Sequence, residues 1–301
     1  MSHVAAFRGE LRSNEPMARH VSWRAGGVAA RAAWPVDLDD CAVLLAGLPA
    51  NEVVLMVGLG SNLLVRDGGF DGTVVFTHGA LKSLHLEAGG VIYAEAGVAA
   101  PKVARFAATH DLAGAEFLAG IPGTVGGALA MNAGCYGNET WPCVERVLML
   151  DRQGRRHVRT AADFEIAYRH VHPLKASDES FAGAWLRFPP GDGAAARARI
   201  RELLEKRIAS QPLQLPNAGS VFRNPPGEHA ARLIEAAGLK GLKLGGAQVS
   251  EKHANFIVNP QGAARASEIE MLIGQIQAVV LQKFAVALEC EVRIVGKKEQ
   301  G

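Results

Sequence analysis

Two glycine clusters in this sequence could hold an anion with backbone alone. The first, Gly58-Leu-Gly-Ser-Asn-Leu-Leu-Val65, runs on through Arg66-Asp-Gly-Gly-Phe-Asp-Gly72. The second is Gly120-Ile-Pro-Gly-Thr-Val-Gly-Gly-Ala128, followed by Met131-Asn-Ala-Gly-Cys-Tyr-Gly137. Where side chains are missing, successive backbone N–H groups can converge on a phosphate without any basic residue. The first cluster follows an apolar run, as a dinucleotide fingerprint does. It lacks the third glycine, and Leu63, Leu64 and Val65 stand where a Rossmann helix would begin. By itself it fits a ligand-free hairpin loop equally well, and tight backbone packing is the plain alternative for the second. Near the end, Leu288-Glu-Cys-Glu-Val-Arg-Ile-Val295 alternates, with Leu288, Cys290, Val292 and Ile294 on one face and Glu289, Glu291 and Arg293 on the other. On spacing alone those three charges read as a solvated strand edge.

The elements that must carry these residues are short. Apolar runs at 53–57, 73–77, 91–95 and 144–150 predict strands, and 38–48 and 100–110 predict helices. The order is α+β and not a regular βαβ alternation. The stretch Phe188-Pro-Pro-Gly-Asp-Gly193 reads as a linker. After it come a charged amphipathic helix near 195–210, a Pro/Gly-rich loop over 211–227, a helix over 228–237 and a long helix. The long helix places Ile269, Leu272, Ile273, Ile276, Val279, Val280 and Phe284 on one core-facing stripe.

Composition sets the bounds. A chain of 301 residues, 49% hydrophobic and 21% charged, builds two or three modest subdomains without a metal or disulfide staple. A formal charge of +2, from 32 basic and 30 acidic side chains, gives no general field for nucleic acid. Cys41, Cys135, Cys143 and Cys290 show no CxxC spacing and read as buried free thiols. Residues 1–16 lack the apolar core of a signal peptide and no segment reads as a membrane span, so a reducing cytoplasm is expected.

Gly60-Ser-Asn62, Gly120-Ile-Pro-Gly-Thr-Val-Gly-Gly127 and Asn132-Ala-Gly134 resemble the pyrophosphate and flavin loops of the vanillyl-alcohol-oxidase-type FAD fold. Within that fold the chain resembles the UDP-N-acetylenolpyruvoylglucosamine reductases. The likeness extends over Trp23-Arg-Ala-Gly-Gly27, Pro216-Asn-Ala-Gly-Ser-Val-Phe-Arg-Asn-Pro225, the run from Gly245 to Asn259 and Glu291-Val-Arg-Ile-Val-Gly296. With no Tyr after Tyr168, it is similar to the shorter form that lacks an inserted tyrosine loop. The resemblance implies a two-part FAD-binding domain plus a smaller α+β substrate-binding domain. The expected divisions are 1–78, joined by a returning strand at 287–301, then 79–190, and 194–286 for the UDP-sugar. It further implies a monomer holding FAD non-covalently, NADPH as co-substrate at the same site in a ping-pong scheme, and UDP-N-acetylglucosamine enolpyruvate as substrate. No metal, nucleic acid or membrane partner is expected.

Site residues follow from the same resemblance. Gly58, Gly60, Ser61, Asn62 and Leu63 of the first loop are implied to hold FAD, with Gly120, Ile121, Pro122, Gly123, Thr124, Gly126, Gly127, Asn132 and Gly134 of the second. Ser220 matches the family's proton donor, where a lone Ser after Gly would otherwise read as a loop cap. Arg169 matches the arginine that holds the enolate with a planar fork, and Glu291 its paired glutamate. A carboxyl beside a substrate carboxylate must be protonated or ion-paired, and either state fits here. Asn224, Arg293 and Tyr168 match positions that touch the substrate. The family commonly has a serine two positions after the arginine, where this chain has Val171. A flavin oxidase of the same fold and a non-catalytic UDP-sugar or flavin sensor are the alternatives. Neither explains the joint presence of Arg169, Ser220 and Glu291.

Overall fold

The computed structural model describes residues 6–299. Residues 1–5 of the expected first subdomain and 300–301 of the expected returning strand lie outside the described residues. The chain forms two compact units, one of residues 1–12, 32–58 and 72–206, the other of 13–31, 59–71 and 207–301.

The first unit is built on an antiparallel sheet with the order Arg156–Arg159, Val144–Leu150, Ser180–Arg187, Val91–Glu95, Leu84–Glu87. Inward residues such as Ile92, Ala94, Val147, Met149, Ala184 and Leu186 share a core with the helix Ala100–Thr109 and the short helix Val125–Met131. The first of these helices starts where Pro101 fits without losing a hydrogen bond, and buries Val103, Ala104, Ala107 and Ala108 along one face. A second core joins Leu148, Leu150 and Ala182 to the helix Leu38–Gly47, which is capped by Asp37 accepting from the Asp40 N–H at 2.8 Å. The strand Val54–Val57 runs parallel to Phe70–Phe76, Val54 opposite Thr73, and delivers the chain to the first glycine loop.

The second unit centres on Trp23, fully buried, whose indole N–H donates to the Ile257 carbonyl at 2.8 Å while its own carbonyl accepts from Asn259 Nδ2 at 2.9 Å. Around it lie the helices Ala230–Ala236 and Ala266–Phe284 and the antiparallel strands Lys243–Leu244, Ala247–Val249 and Ile257–Val258. The predicted helical stripe is buried at Ile269, Leu272, Ile273, Ile276 and Val280. Phe284 departs from it: at the last turn, before Ala285 takes a left-handed φ of 56°, it is 36% exposed.

The final strand is also shorter than its alternation predicts. Only Arg293–Val295 is regular, parallel to Leu63–Val65. Upstream, the N–H groups of Glu291 and Val292 both donate to the Val221 carbonyl, at 2.8 and 3.4 Å, which breaks the ladder as a bulge does. The expected linker is tied down: Phe188 donates to the Gly90 carbonyl, Ala113 to that of Pro189 and Gly191 to that of Asp111. Of the four thiols, Cys41 alone is fully buried. Among the described residues no helix is long and apolar enough to cross a membrane.

Candidate active site

Glycine is obligatory at two points of the first loop. A Cβ on Gly58 would lie 2.3 Å from Thr124 Oγ1, and one on Gly60, at a φ of +60°, would lie 2.1 Å from the His20 carbonyl oxygen. No described group accepts from the N–H groups of Gly60 and Ser61, which leaves them free for an anion. Asn62 serves the protein's own chain, donating through Nδ2 to the Glu291 carbonyl at 3.1 Å and accepting at its carbonyl from the Arg293 N–H at 3.0 Å. Leu63 is buried and opens the strand opposite Arg293.

In the second loop, Val125 and Gly126 donate to the carbonyls of Val98 and Ala96, at 2.8 and 2.9 Å, and Gly123 accepts from Ala100 at 2.9 Å. Gly120 lies where a Cβ would come within 2.6 Å of Cys135 Sγ. Ile121 and Thr124 are buried while Pro122 and Gly127 face outward. No described group accepts from the N–H groups of Gly123, Thr124 and Gly127, and a Cβ on Gly127 would meet only Thr124 Oγ1, at 3.9 Å. Asn132 closes the helix with a left-handed φ of 44°. Its Oδ1 accepts from the Trp141 N–H at 3.0 Å, and its Nδ2 donates to Glu139 Oε2 at 2.8 Å and to the Ala167 carbonyl at 3.3 Å.

Arg169 is joined to that loop. Its guanidinium donates to the carbonyls of Asn132 at 3.3 Å and Gly134 at 3.0 Å, and lies 4.9 Å from the Tyr168 ring. Arg169 sits at the turn of the hairpin Phe164–Ala167 and His170–Pro173, at a φ of 54° that non-glycine residues seldom adopt. Tyr168 is 44% exposed. Val171 pairs with Ile166 and packs on the core, which accounts for an apolar residue at that position.

Ser220 and Glu291 are brought together in the second unit. An antiparallel bridge pairs Phe222 with Cys290, and the Glu291 N–H donates to the Val221 carbonyl, so the segment carrying Ser220 runs beside the one carrying Glu291. Both residues are half-buried. Among the described residues the Ser220 hydroxyl has no hydrogen-bond partner, so it caps no turn. Asn224 Oδ1 accepts from the Ala230 N–H at 3.1 Å and helps to start that helix, and Arg293 is exposed. Burial pushes the Cys290 thiol up and holds His253 below the ordinary imidazole range. Sequence reading passed over Asn255. It is buried and donates to and accepts from the Phe222 backbone; its signal was a carboxamide within the apolar run Phe256-Ile-Val258 and its flank.

Residues 211–295 match the C-terminal domain of UDP-N-acetylenolpyruvoylglucosamine reductase, and residues 29–159 match an FAD binding domain. A UDP-N-acetylenolpyruvoylglucosamine reductase of Thiobacillus denitrificans is 57% identical, over 97% of this chain and 94% of its own length. The chain belongs to the UDP-N-acetylenolpyruvoylglucosamine reductase family. A relative with the same description from Legionella pneumophila (strain Corby) is 51% identical over 98% of this chain and 95% of its own. The crystal structure of the UDP-N-acetylenolpyruvylglucosamine reductase of Thermus caldophilus superposes with a TM-score of 0.80 at 30% identity, covering 95% of this chain and 98% of that one. The fold is α+β, an FAD-binding domain of the vanillyl-alcohol-oxidase type in two parts with the family's smaller α+β domain after it, and the protein is an FAD oxidoreductase.

Proposed function

We propose that this protein reduces UDP-N-acetylglucosamine enolpyruvate to UDP-N-acetylmuramate with NADPH, in the cytoplasmic synthesis of peptidoglycan precursors, as a monomer with non-covalent FAD. The reading is carried by Ser220, its hydroxyl unengaged, on a segment bridged to that of Glu291 in a chain that keeps the family's motifs throughout. The three-part division at 1–78 with 287–301, 79–190 and 194–286 belongs to the same proposal.

In one unit the open N–H groups of Gly60 and Ser61, and in the other those of Gly123, Thr124 and the outward-facing Gly127, each suit the phosphates of a cofactor. When bound, FAD would supply the hydride chemistry that links NADPH to the substrate. Reduction at the terminal vinyl carbon leaves negative charge on the neighbouring carbon and its carboxylate. The Arg169 fork would hold that carboxylate, Glu291 would complete its surroundings, and the Ser220 O–H would deliver the proton, to be replaced from water. Asn224, Arg293 and Tyr168 are assigned to substrate contacts.

Anaerobic stopped flow on the purified holoprotein tests the reading. NADPH should bleach the flavin, and the enolpyruvyl UDP-sugar should restore the colour far faster than oxygen does. Reoxidation by oxygen at the same rate without the sugar would make the protein an oxidase. No turnover with fully loaded FAD would make it a binding module.

A further inference from the structure

The segment that carries Ser220 is held on one side by a single buried residue. Asn255, 3% exposed, accepts at its backbone carbonyl from the Val221 N–H at 2.9 Å and at Oδ1 from the Phe222 N–H at 3.0 Å, and its Nδ2 donates to the Phe222 carbonyl at 2.8 Å. We propose that Asn255 is a positioning residue for proton delivery by Ser220, acting through the backbone of 221–222. This rests on the role of Ser220 proposed above.

Four observations carry it. The Ser220 hydroxyl is bonded to nothing among the described residues, so its place is set by the main chain. On the N-terminal side, Asn217 is bridged to Val258, but Gly219 between it and Ser220 has a φ of +76° and open space around it, its N–H donating only within the local turn to Asn217 Oδ1 at 2.9 Å, so the closest fixed point next to Ser220 is on its C-terminal side. On the C-terminal side, the Asn255 carboxamide matches the donor and the acceptor of Phe222 together, which a neutral amide does and an aliphatic side chain of the same size cannot. Finally, the Val221 carbonyl accepts from the N–H groups of Glu291 and Val292, so the same stretch also sets the Glu291 backbone. A misplacement of about 1 Å costs a proton transfer up to roughly 10²-fold.

Hydrogen exchange and a double-mutant cycle on the FAD-loaded enzyme test this. In the wild type the Phe222 amide should be protected like core strands, and in Asn255→Ala its protection should fall. Reduction by NADPH should keep its rate in Asn255→Ala while reoxidation by the enolpyruvyl UDP-sugar slows about 10- to 100-fold. The double variant Ser220→Ala/Asn255→Ala should be no slower than Ser220→Ala alone, because a donor that is absent cannot be misplaced further. Fast exchange at Phe222 in the wild type, an unchanged reoxidation rate, or additive slowing would overturn the positioning role. Reoxidation at the wild-type rate in Ser220→Ala would instead sink the proton-donor reading beneath it. If Asn255→Ala does not fold, Asn255→Asp, which keeps the acceptor for the Phe222 N–H and loses the donor to the Phe222 carbonyl, enters the same cycle; reoxidation should slow and the double variant should be no slower than Ser220→Ala, while the Phe222 amide stays protected.

Discussion

The proton delivery proposed for Ser220 can be tested apart from binding, because the hydroxyl holds no part of the fold together. Ser220→Ala should therefore leave folding and NADPH reduction of the flavin near wild type and slow reoxidation by the enolpyruvyl sugar by about 10²-fold or more, the usual scale for a positioned acid. Ser220→Cys should restore part of it. Single-turnover flavin absorbance in each direction, with substrate affinity measured apart, reads this out, and an alanine variant that reoxidises at the wild-type rate would leave Ser220 without a chemical role. Arg169 differs, since its guanidinium also braces the carbonyls of Asn132 and Gly134. Arg169→Lys replaces a fork with a point charge, so if Arg169 holds the proposed enolate, kcat should fall more than KM rises, that charge developing only during reaction. A variant whose sole defect is a raised KM would reduce Arg169 to a binding residue. Both residues are single letters without periodicity, so only their motif context made them legible. The left-handed backbone of Arg169 left no trace that spacing rules detect, and the carboxamide of Asn255 beside an apolar run did not say which backbone it would bond.

At the scale of elements, the hairpin joining Val144–Leu150 to Arg156–Arg159 depends on one buried carboxylate. Asp151, 6% exposed, accepts from the N–H groups of Gln153 at 2.9 Å and Arg155 at 2.8 Å and from Arg155 Nε at 2.8 Å, and lies 2.8 Å from His157 Nε2. Burial pushes its pKa up, but these hydrogen bonds prevail and hold the carboxyl well below the ordinary range. A depressed folded pKa means stability that is present above the unfolded value, about 3.9, and lost as pH falls through the folded one. Asp151→Asn should accordingly lower the unfolding free energy by about 1–3 kcal/mol at neutral pH. Urea titrations at stepped pH should show the gap narrowing below about pH 4; a gap that stays constant into acid would mean that the charge is irrelevant there. Apolar period made the strands and most helices readable. The last strand was over-read, because alternation marks which side chains face inward but not where a bulge at Val221 interrupts pairing.

For the whole molecule, the cofactor reading predicts a visible property. The purified protein should be yellow, and acid or denaturant should release all of the flavin, since no residue stands out as a covalent anchor. Excess FAD should raise the thermal midpoint, as a ligand at 100 times its Kd stabilises the native state by about 2.7 kcal/mol. Flavin that stays with the precipitated chain would contradict non-covalent binding, and a colourless active enzyme would remove FAD from the account.

The sequence by itself determined the class of fold, the two glycine loops and the family, because hydrophobic period and backbone freedom are written locally and long motifs survive in order. Tertiary structure decided the rest. It showed that Gly58 and Gly60 are glycines because Thr124 and the His20 carbonyl occupy the space a Cβ needs. It showed Trp23 as the centre of the second unit, bonded to residues more than 230 positions away. It set Ser220 beside Glu291, 71 positions apart in the chain, through a bridge between Phe222 and Cys290. Such pairings depend on which backbone N–H finds which carbonyl when distant segments meet, and no local pattern specifies that.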